Sequence, residues 1–327
     1  MLKASPVEIK WNSGLPVYAS ERFLKTVGEE YGWVGGTDDA GQLRCVLPYT
    51  ILRKLCFRFV RFRVETIPLQ GELSLEEEKS FLNSSMQYFR SIGADMIVPA
   101  SNNSIFRTYP DGAVVAPYGT FIIDLRRPEK TLLSEVSENY RKQIRRAATA
   151  GVHVVSGMEY LDTAYDLTAE TLRRSGIKFK AHSEFRKHLL QGLGDNVNIF
   201  IAKYQGAIQA CLVAPFSKYC GFSWYGGTIA EPIRGAMHLL HWEAMRTFRE
   251  LGVQRFNFTG VRINPEKGSK QEGIMNFKMR FGGTLTQGYM WKYSFSALKF
   301  GAYWLAIRIL KGGDTVDREQ HKLEKNG

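Results

Sequence analysis

A lysine set among bulky apolar residues is the most pointed chemical feature of this chain. Lys278 stands in Gly273-Ile-Met-Asn-Phe277-Lys278-Met279-Arg-Phe281-Gly282-Gly283. Phe277, Met279 and Phe281 read equally well as core, but an ammonium between them needs a partner or a task, because an unpaired buried charge is costly. The strand end Asn257-Phe258-Thr259-Gly260 lies upstream, and a polar loop from Arg262 to Gln271 joins the two. Gly282-Gly283 then lets the chain turn closely into the next strand. A strand end, a loop and a short helix bearing one lysine present a cation to a reacting group.

Two basic arrays accompany it. In Asn139-Tyr-Arg141-Lys142-Gln-Ile-Arg145-Arg146-Ala147, like charges recur at i,i+4, which costs an isolated helix a few tenths of a kcal/mol per pair. Guanidinium forks meeting phosphates explain that density, and a solvated basic face explains it as well. In Arg53-Lys54-Leu-Cys-Phe-Arg58-Phe-Val-Arg61-Phe62-Arg63-Val64, Arg61 and Arg63 share one face of a strand. Basic alternating with aromatic suits a single-stranded nucleic-acid platform, or an aromatic core with a basic outer face. His238 and His241 stand one helical turn apart, but no third ligand is in register and Glu243 points elsewhere, so the reading is no metal. The four cysteines form no C-x-x-C pair and are too few for a disulfide framework.

The elements that must position these residues repeat. Met86-Gln-Tyr-Phe89-Arg90-Ser-Ile92-Gly93 is echoed by Met245-Arg-Thr-Phe248-Arg249-Glu-Leu251-Gly252, each an amphipathic helix with a glycine stop. Met96-Ile97-Val98 and Phe256-Asn257-Phe258 follow as strands. Helices are expected over 131–150 and 159–175, and strands over 43–52, 57–67, 119–125, 152–155, 197–202, 207–214, 220–227 and 285–293. Short glycine-bearing turns such as Lys203–Gly206 make antiparallel hairpins. The fold class is α/β with an α+β mixed sheet. Phe295, Leu298, Ala302, Leu305 and Ile309 lie at helical spacing in a C-terminal helix expected to pack on the core, with an anionic surface as the other occupant for that face. The residues from Gly312 onward are polar and read as frayed.

The length of 327 residues suits two domains, and 44% hydrophobic against 23% charged residues excludes a largely disordered chain. The formal charge of +12 favours polyanionic company: nucleic acid, phosphorylated substrates or an anionic membrane. Met1–Gly14 lacks the apolar stretch of a signal peptide, and no run approaches a membrane span, so a cytoplasmic location is expected.

Several motifs, in order, are similar to the Fem family of peptidoglycan cross-bridge aminoacyl transferases. They are R-x-x-I-R-x-A-x-x-x-G-V at Arg141–Val152, W-Y-G-G at Trp224–Gly227, L-x-W-E-A at Leu240–Ala244, E-L-G at Glu250–Gly252 and F-K-x-x-F-G-G at Phe277–Gly283. The resemblance implies two tandem GNAT-like acyltransferase domains, over 1–130 and 152–294, joined by a connector helix over 131–151 and followed by a C-terminal helix and tail over 295–327. It implies a bacterial cell-wall enzyme that transfers an aminoacyl group from aminoacyl-tRNA to an amine of a phosphorylated precursor, with no bound cofactor. Phe277 and Lys278 inherit the channel where the acyl ester is attacked. Arg141, Arg145, Tyr225, Gly227, Trp242 and Asn257 are the substrate-binding candidates, and Asp124 or Glu272 the candidate base. The family often has Asp where Asn257 stands, and no long heptad insertion for a tRNA-binding arm is present here. An N-acyltransferase using acyl-CoA or an acyl carrier protein is the alternative. Against CoA, no [QR]-x-x-G-x-[GA] pyrophosphate loop occurs, the nearest stretch being Pro232-Ile-Arg234-Gly235-Ala236. A non-catalytic RNA- or membrane-binding protein is the remaining class. Peripheral attachment at the inner face of a membrane is compatible with the C-terminal helix.

Overall fold

A computed structural model describes residues 1–326. The N-terminal half carries β1 (Lys3–Val7), α1 (Glu21–Val27), β2 (Glu30–Thr37), β3 (Leu43–Lys54), β4 (Phe57–Phe62) and β5 (Ile67–Pro68). Then come α2 (Leu75–Ser91), β6 (Met96–Ile97) and β7 (Val114–Asp124). The connector is α3 (Glu129–Glu135) and α4 (Glu138–Thr149). The C-terminal half carries β8 (His153–Ser156), α5 (Leu161–Arg173), α6 (His182–Arg186), β9 (Val197–Tyr204), β10 (Ala207–Pro215), β11 (Gly221–Phe222) and β12 (Tyr225–Thr228). It ends with α7 (Ala236–Glu250), β13 (Arg255–Val261), α8 (Lys270–Met279), β14 (Thr284–Ser294), α9 (Ala297–Lys311) and α10 (Thr315–Asn326).

The internal echo has a structural meaning. Helix α2 starts at Ser74 in a reciprocal capping box with Glu77, buries Phe81, Leu82, Met86 and Phe89, and stops before Gly93 at φ 74°. It crosses between β4 and β6, which pair in parallel. Helix α7 buries Leu240, Ala244, Met245 and Phe248, stops before Gly252 at φ 74°, and crosses between the parallel β11 and β13. Each half is thus built on one β-α-β unit.

The halves share a sheet. Its order is β1-β2-β3-β4-β6-β14-β7-β13-β11, with β5 on β3; a smaller sheet runs β12-β10-β9-β8. Strand β7 comes from the N-terminal half yet pairs with β13 and β14, and β14 returns to pair with β6. The β9–β10 hairpin turns through Gln205 and Gly206, both at positive φ, as a two-residue turn matched to strand twist requires.

Several stretches differ from the reading of the sequence: the strand expected over 220–227 splits into β11 and β12 in different sheets, and that over 57–67 into β4 and β5. The connector is broken at Val136, which is extended, because the Ser137 N–H is taken by the Arg280 carbonyl at 2.8 Å. The tail from Gly312 is not frayed: α10 docks through Val316, fully buried, and through Asp314 and Asp317, which hold the buried Lys292 of β14. A lysine 2% exposed near a strand end must be paired, and this one draws the tail onto the sheet. In α9, Phe300, Tyr303 and Ile307 face inward, while Leu298, Ala302, Leu305 and Ile309 face out. The periodicity marks a stripe correctly, but it is the outer one.

Candidate active site

Strand β13 makes the site by departing from its ladder. Asn257 is opposite Ile122 of β7 and Gly260 opposite Thr120, so two residues bulge outward against one. Thr259 takes φ +59°, a left-handed conformation costly for a β-branched residue. Side chains hold it there. Buried Asn257 accepts the Thr259 N–H on Oδ1 at 2.6 Å. The Thr120 hydroxyl lies 2.7 Å from the same oxygen and 2.9 Å from the Thr259 carbonyl.

Lys278 meets the bulge from α8. This helix begins at Ser269, whose side chain accepts the Glu272 N–H, while Glu272 accepts the Gly268 N–H at 2.6 Å. Lys278 Nζ donates to the carbonyls of Thr259 and Gly260 at 3.1 and 3.0 Å. Burial pushes its pKa down to about 7. Two of the N–H groups of the ammonium thus engage the bulge carbonyls, behind Thr259, which lines a cavity beside the bulge.

An aromatic box fixes α8 from behind. Phe277 packs on Tyr140, His238, His241 and Phe281, with ring centroids 5.2–5.8 Å apart. The two histidines therefore serve packing: burial pushes both to about 4, and His241 Nε2 lies 3.2 Å from Ser223 Oγ. Ser223 in turn accepts from the Thr259 hydroxyl through its carbonyl.

Beside the bulge the two sheets part. Strand β11 leaves β13 after Phe222, and β12 joins β10 of the smaller sheet. The opening is a cavity of about 640 Å³ at the junction of the halves, reached by Trp224, Tyr225 and Thr259. Its charged wall holds Arg61 and Arg63 from the N-terminal half and Lys180 and Lys187 from the C-terminal half, against Glu29 and Glu184. Arg63 donates to the Val27 carbonyl and lies 3.1 Å from Thr50 Oγ1; burial pushes it down to about 9. Burial lowers Arg61 as well, and its Nε has no hydrogen-bond partner among the described residues. Lys180 lies over the rings of Trp224 and Tyr225 and 2.9 Å from His188 Nδ1. The wall suits an anionic ligand.

The structure brings together Lys278 and Asn257 at the bulge, keeps Phe277 in the aromatic box behind α8, and places Tyr225 in the cavity. It does not bring the other candidates there. Asp124 ends β7 in a fork with Arg126, which holds its carboxyl down at about 2, so it is a weak proton acceptor. Glu272 is a helix cap. Arg141 turns back onto the carbonyls of Ser134 and Val136, and Arg145 is exposed on α4. Trp242 is core. Gly227 lets α5 lie against β12: a Cβ there would fall 2.4 Å from the Leu167 carbonyl oxygen. Gly227→Ala is expected to destabilise the fold by about 1–3 kcal/mol through this overlap, measured by urea unfolding, with the KM for the acceptor unchanged in the folded fraction.

Lys180, Lys187 and Ser223 are residues the sequence did not single out for the site. The one available signal was the shared strand face of Arg61 and Arg63.

Together these elements define an acyltransferase domain of the GNAT type: residues 134–279 match the family described as acetyltransferase (GNAT) domain. The whole chain has a Fem-like fold. It superposes on the crystal structure of FemX with a TM-score of 0.66 and 14% identity, covering 91% of this chain and 99% of that one. The C-terminal domain (DUF2156) of a putative lysylphosphatidylglycerol synthetase from Agrobacterium fabrum gives 0.52 at 12% identity, covering 88% and 96%. A conserved protein of unknown function from Bacteroides thetaiotaomicron gives 0.52 at 12%, covering 85% and 90%. At these identities the likeness is one of fold. No curated protein matches the sequence. No helix among the described residues is long and apolar enough to cross a membrane.

Proposed function

We propose that the protein transfers an aminoacyl group from aminoacyl-tRNA to an amine of a phosphorylated cell-wall precursor, at or near the cytoplasmic face of a membrane. The observation that carries this reading is the cationic cavity beside the bulge that seats Lys278. Arg61, Arg63 and Lys180 suit the phosphates of the acceptor, and Phe277 and Lys278 the acyl ester.

The chemistry follows from the groups present. The acceptor amine attacks the ester carbonyl carbon, a C–N bond forms, and negative charge develops on the carbonyl oxygen. The free N–H of the Lys278 ammonium is available to meet that charge. The ester C–O bond then breaks, and the ribose oxygen leaves with a proton that the amine gives up. Holding amine and ester together supplies much of the acceleration.

Transfer from acyl-CoA is less well supported. A CoA pyrophosphate would need a bare helix N-terminus. The start of α7 is packed against α4: a Cβ on Gly235 would fall 2.3 Å from the Gln143 carbonyl oxygen, and the Ala236 N–H is taken by the Ile233 carbonyl.

A mass-shift assay tests the reading. Protein is given peptidoglycan precursors with a mixture of charged tRNAs, and separately with acyl-CoA and acyl-carrier donors. The expected result is one aminoacyl mass added with charged tRNA alone. Transfer from CoA or carrier instead would move the protein to the general N-acyltransferases.

A further inference from the structure

The outward stripe of α9 is exposed to an extent that a packed helix does not need. Leu298 is 89% exposed, Ile309 73%, Leu310 77% and Leu305 54%, with Trp304 partly open beside them. The helix is nevertheless fixed. Lys299 Nζ donates to the Cys56 carbonyl at 3.1 Å and to Asp95 at 2.8 Å, Tyr303 packs on Phe59 at 5.2 Å, and the Lys292 pairs hold the following α10. The Cys56 contact brings the β3–β4 turn beside the first turn of α9, and at its tip stands Leu55, 93% exposed at φ +55°.

We infer that α9 and the Leu55 turn form one docking face for an anionic lipid surface. Charge decides among occupants. Residues 297–311 contain no Asp or Glu. Lys54 beside Leu55, and Arg308 over the Trp304 ring at 4.9 Å, have no carboxylate partner among the described residues. A second copy docked here about a two-fold axis would set this basic face against itself on chains of charge +12. Anionic headgroups neutralise it, while Leu, Ile and Trp enter the acyl boundary. At about 22 Å, a helix of this length lies in the interface and does not cross it.

The location has a consequence for the site. Helix α9 rests on β4, the strand that carries Arg61 into the cavity, so docking would hold the cavity close to the headgroup layer. This deepens the membrane-face location in the function proposed above, pointing to a lipid-linked acceptor. It is read from vesicle binding alone and fails or stands separately from transfer.

The test is co-sedimentation of the full chain with phosphatidylcholine vesicles, with and without phosphatidylglycerol, at low and high salt. Two double variants run alongside, Leu305→Glu with Ile309→Glu, and Lys54→Glu with Arg308→Glu. All four positions are exposed, so unchanged thermal unfolding is the folding control. Binding that requires phosphatidylglycerol, weakens with salt and drops by at least ~10-fold in each double variant is expected. No binding to anionic vesicles, or equal binding by the variants, would overturn the inference. So would a concentration-dependent dimer in light scattering that Leu305→Glu abolishes, which would assign the face to a second copy. Aminoacyl transfer to a soluble precursor should persist in both double variants. Loss of that transfer in the wild type, with vesicle binding intact, would remove the functional proposal and leave the docking face.

Discussion

Lys278→Met should slow acyl transfer by ~10²–10³ while leaving the protein folded, because it removes the ammonium bound to the bulge carbonyls without opening a void. A structural role predicts the opposite pattern. If Lys278 existed to tie α8 to β13, its loss would be read mainly in stability, since the Thr259 and Gly260 carbonyls would lose a donor. The Thr259 carbonyl keeps the Thr120 hydroxyl nearby, which limits that cost. The pH dependence separates the roles further. Burial holds Lys278 at about 7 in the fold, against an ordinary value of 10.5 when unfolded. Between those values the unfolded chain binds a proton that the native chain does not, so wild-type stability should rise with pH across that window. The methionine variant should lack this rise. In the reaction proposed above the needed species is the ammonium, so its loss as pH rises through about 7 should lower transfer. The acceptor amine works best deprotonated and gives the acidic limb of a bell. In Lys278→Arg the alkaline limb should move to higher pH, since a guanidinium keeps its proton. An alkaline limb that stays in place in Lys278→Arg would end the electrostatic reading.

How much of this was written in the sequence depends on the range of each interaction. Lys278 and its apolar neighbours are local, and its need for partners was evident from residue types alone. The crossovers by α2 and α7 were visible as an echo because each helix carries its own stripe and glycine stop. The shared face of Arg61 and Arg63 was legible from the period of a strand. What that face meets was not, because Lys180, Lys187 and Tyr225 come from the other half of the chain, and the stretch around Lys180 has no regular period. The crossing of β7 and β14 between halves is of the same kind. Ala116 lies opposite Met290, a pairing set by two distant strands competing for one sheet position. For α9, spacing defined a stripe but could not say which side faced the core. The inward face carries two aromatics, Phe300 and Tyr303, and those bury more area than the outward leucines. Asp124 is engaged for a short-range reason the sequence already contained: Arg126, two residues on, completes a fork with it.

Asn257 offers the second large effect, because its side-chain oxygen and the Lys278 ammonium grip opposite ends of one residue, Thr259. Only the oxygen is used in the hydrogen bonds, as acceptor from the Thr259 N–H and the Thr120 hydroxyl. Asn257→Asp therefore preserves both contacts and should fold. It also places a carboxylate on the residue across Thr259 from Lys278, and an opposite charge within ~4–6 Å raises the pKa of a lysine by ~1–3 units. The alkaline limb of the transfer profile should move up from about 7 accordingly. Asn257→Leu keeps the volume but leaves the Thr259 N–H without its acceptor in a buried bulge. That costs about 1–3 kcal/mol, read by urea unfolding. It also frees Thr259 to leave φ +59°, a conformation that carries its own strain of similar size. The carbonyls that seat Lys278 would shift with it. A displacement near 1 Å at a reacting group is worth ~10² in rate, so Asn257→Leu should approach Lys278→Met in transfer while losing stability that Lys278→Met retains. If the aspartate variant keeps its limb at about 7 and the leucine variant keeps full transfer, the bulge is a feature of folding only, and Lys278 does not depend on it.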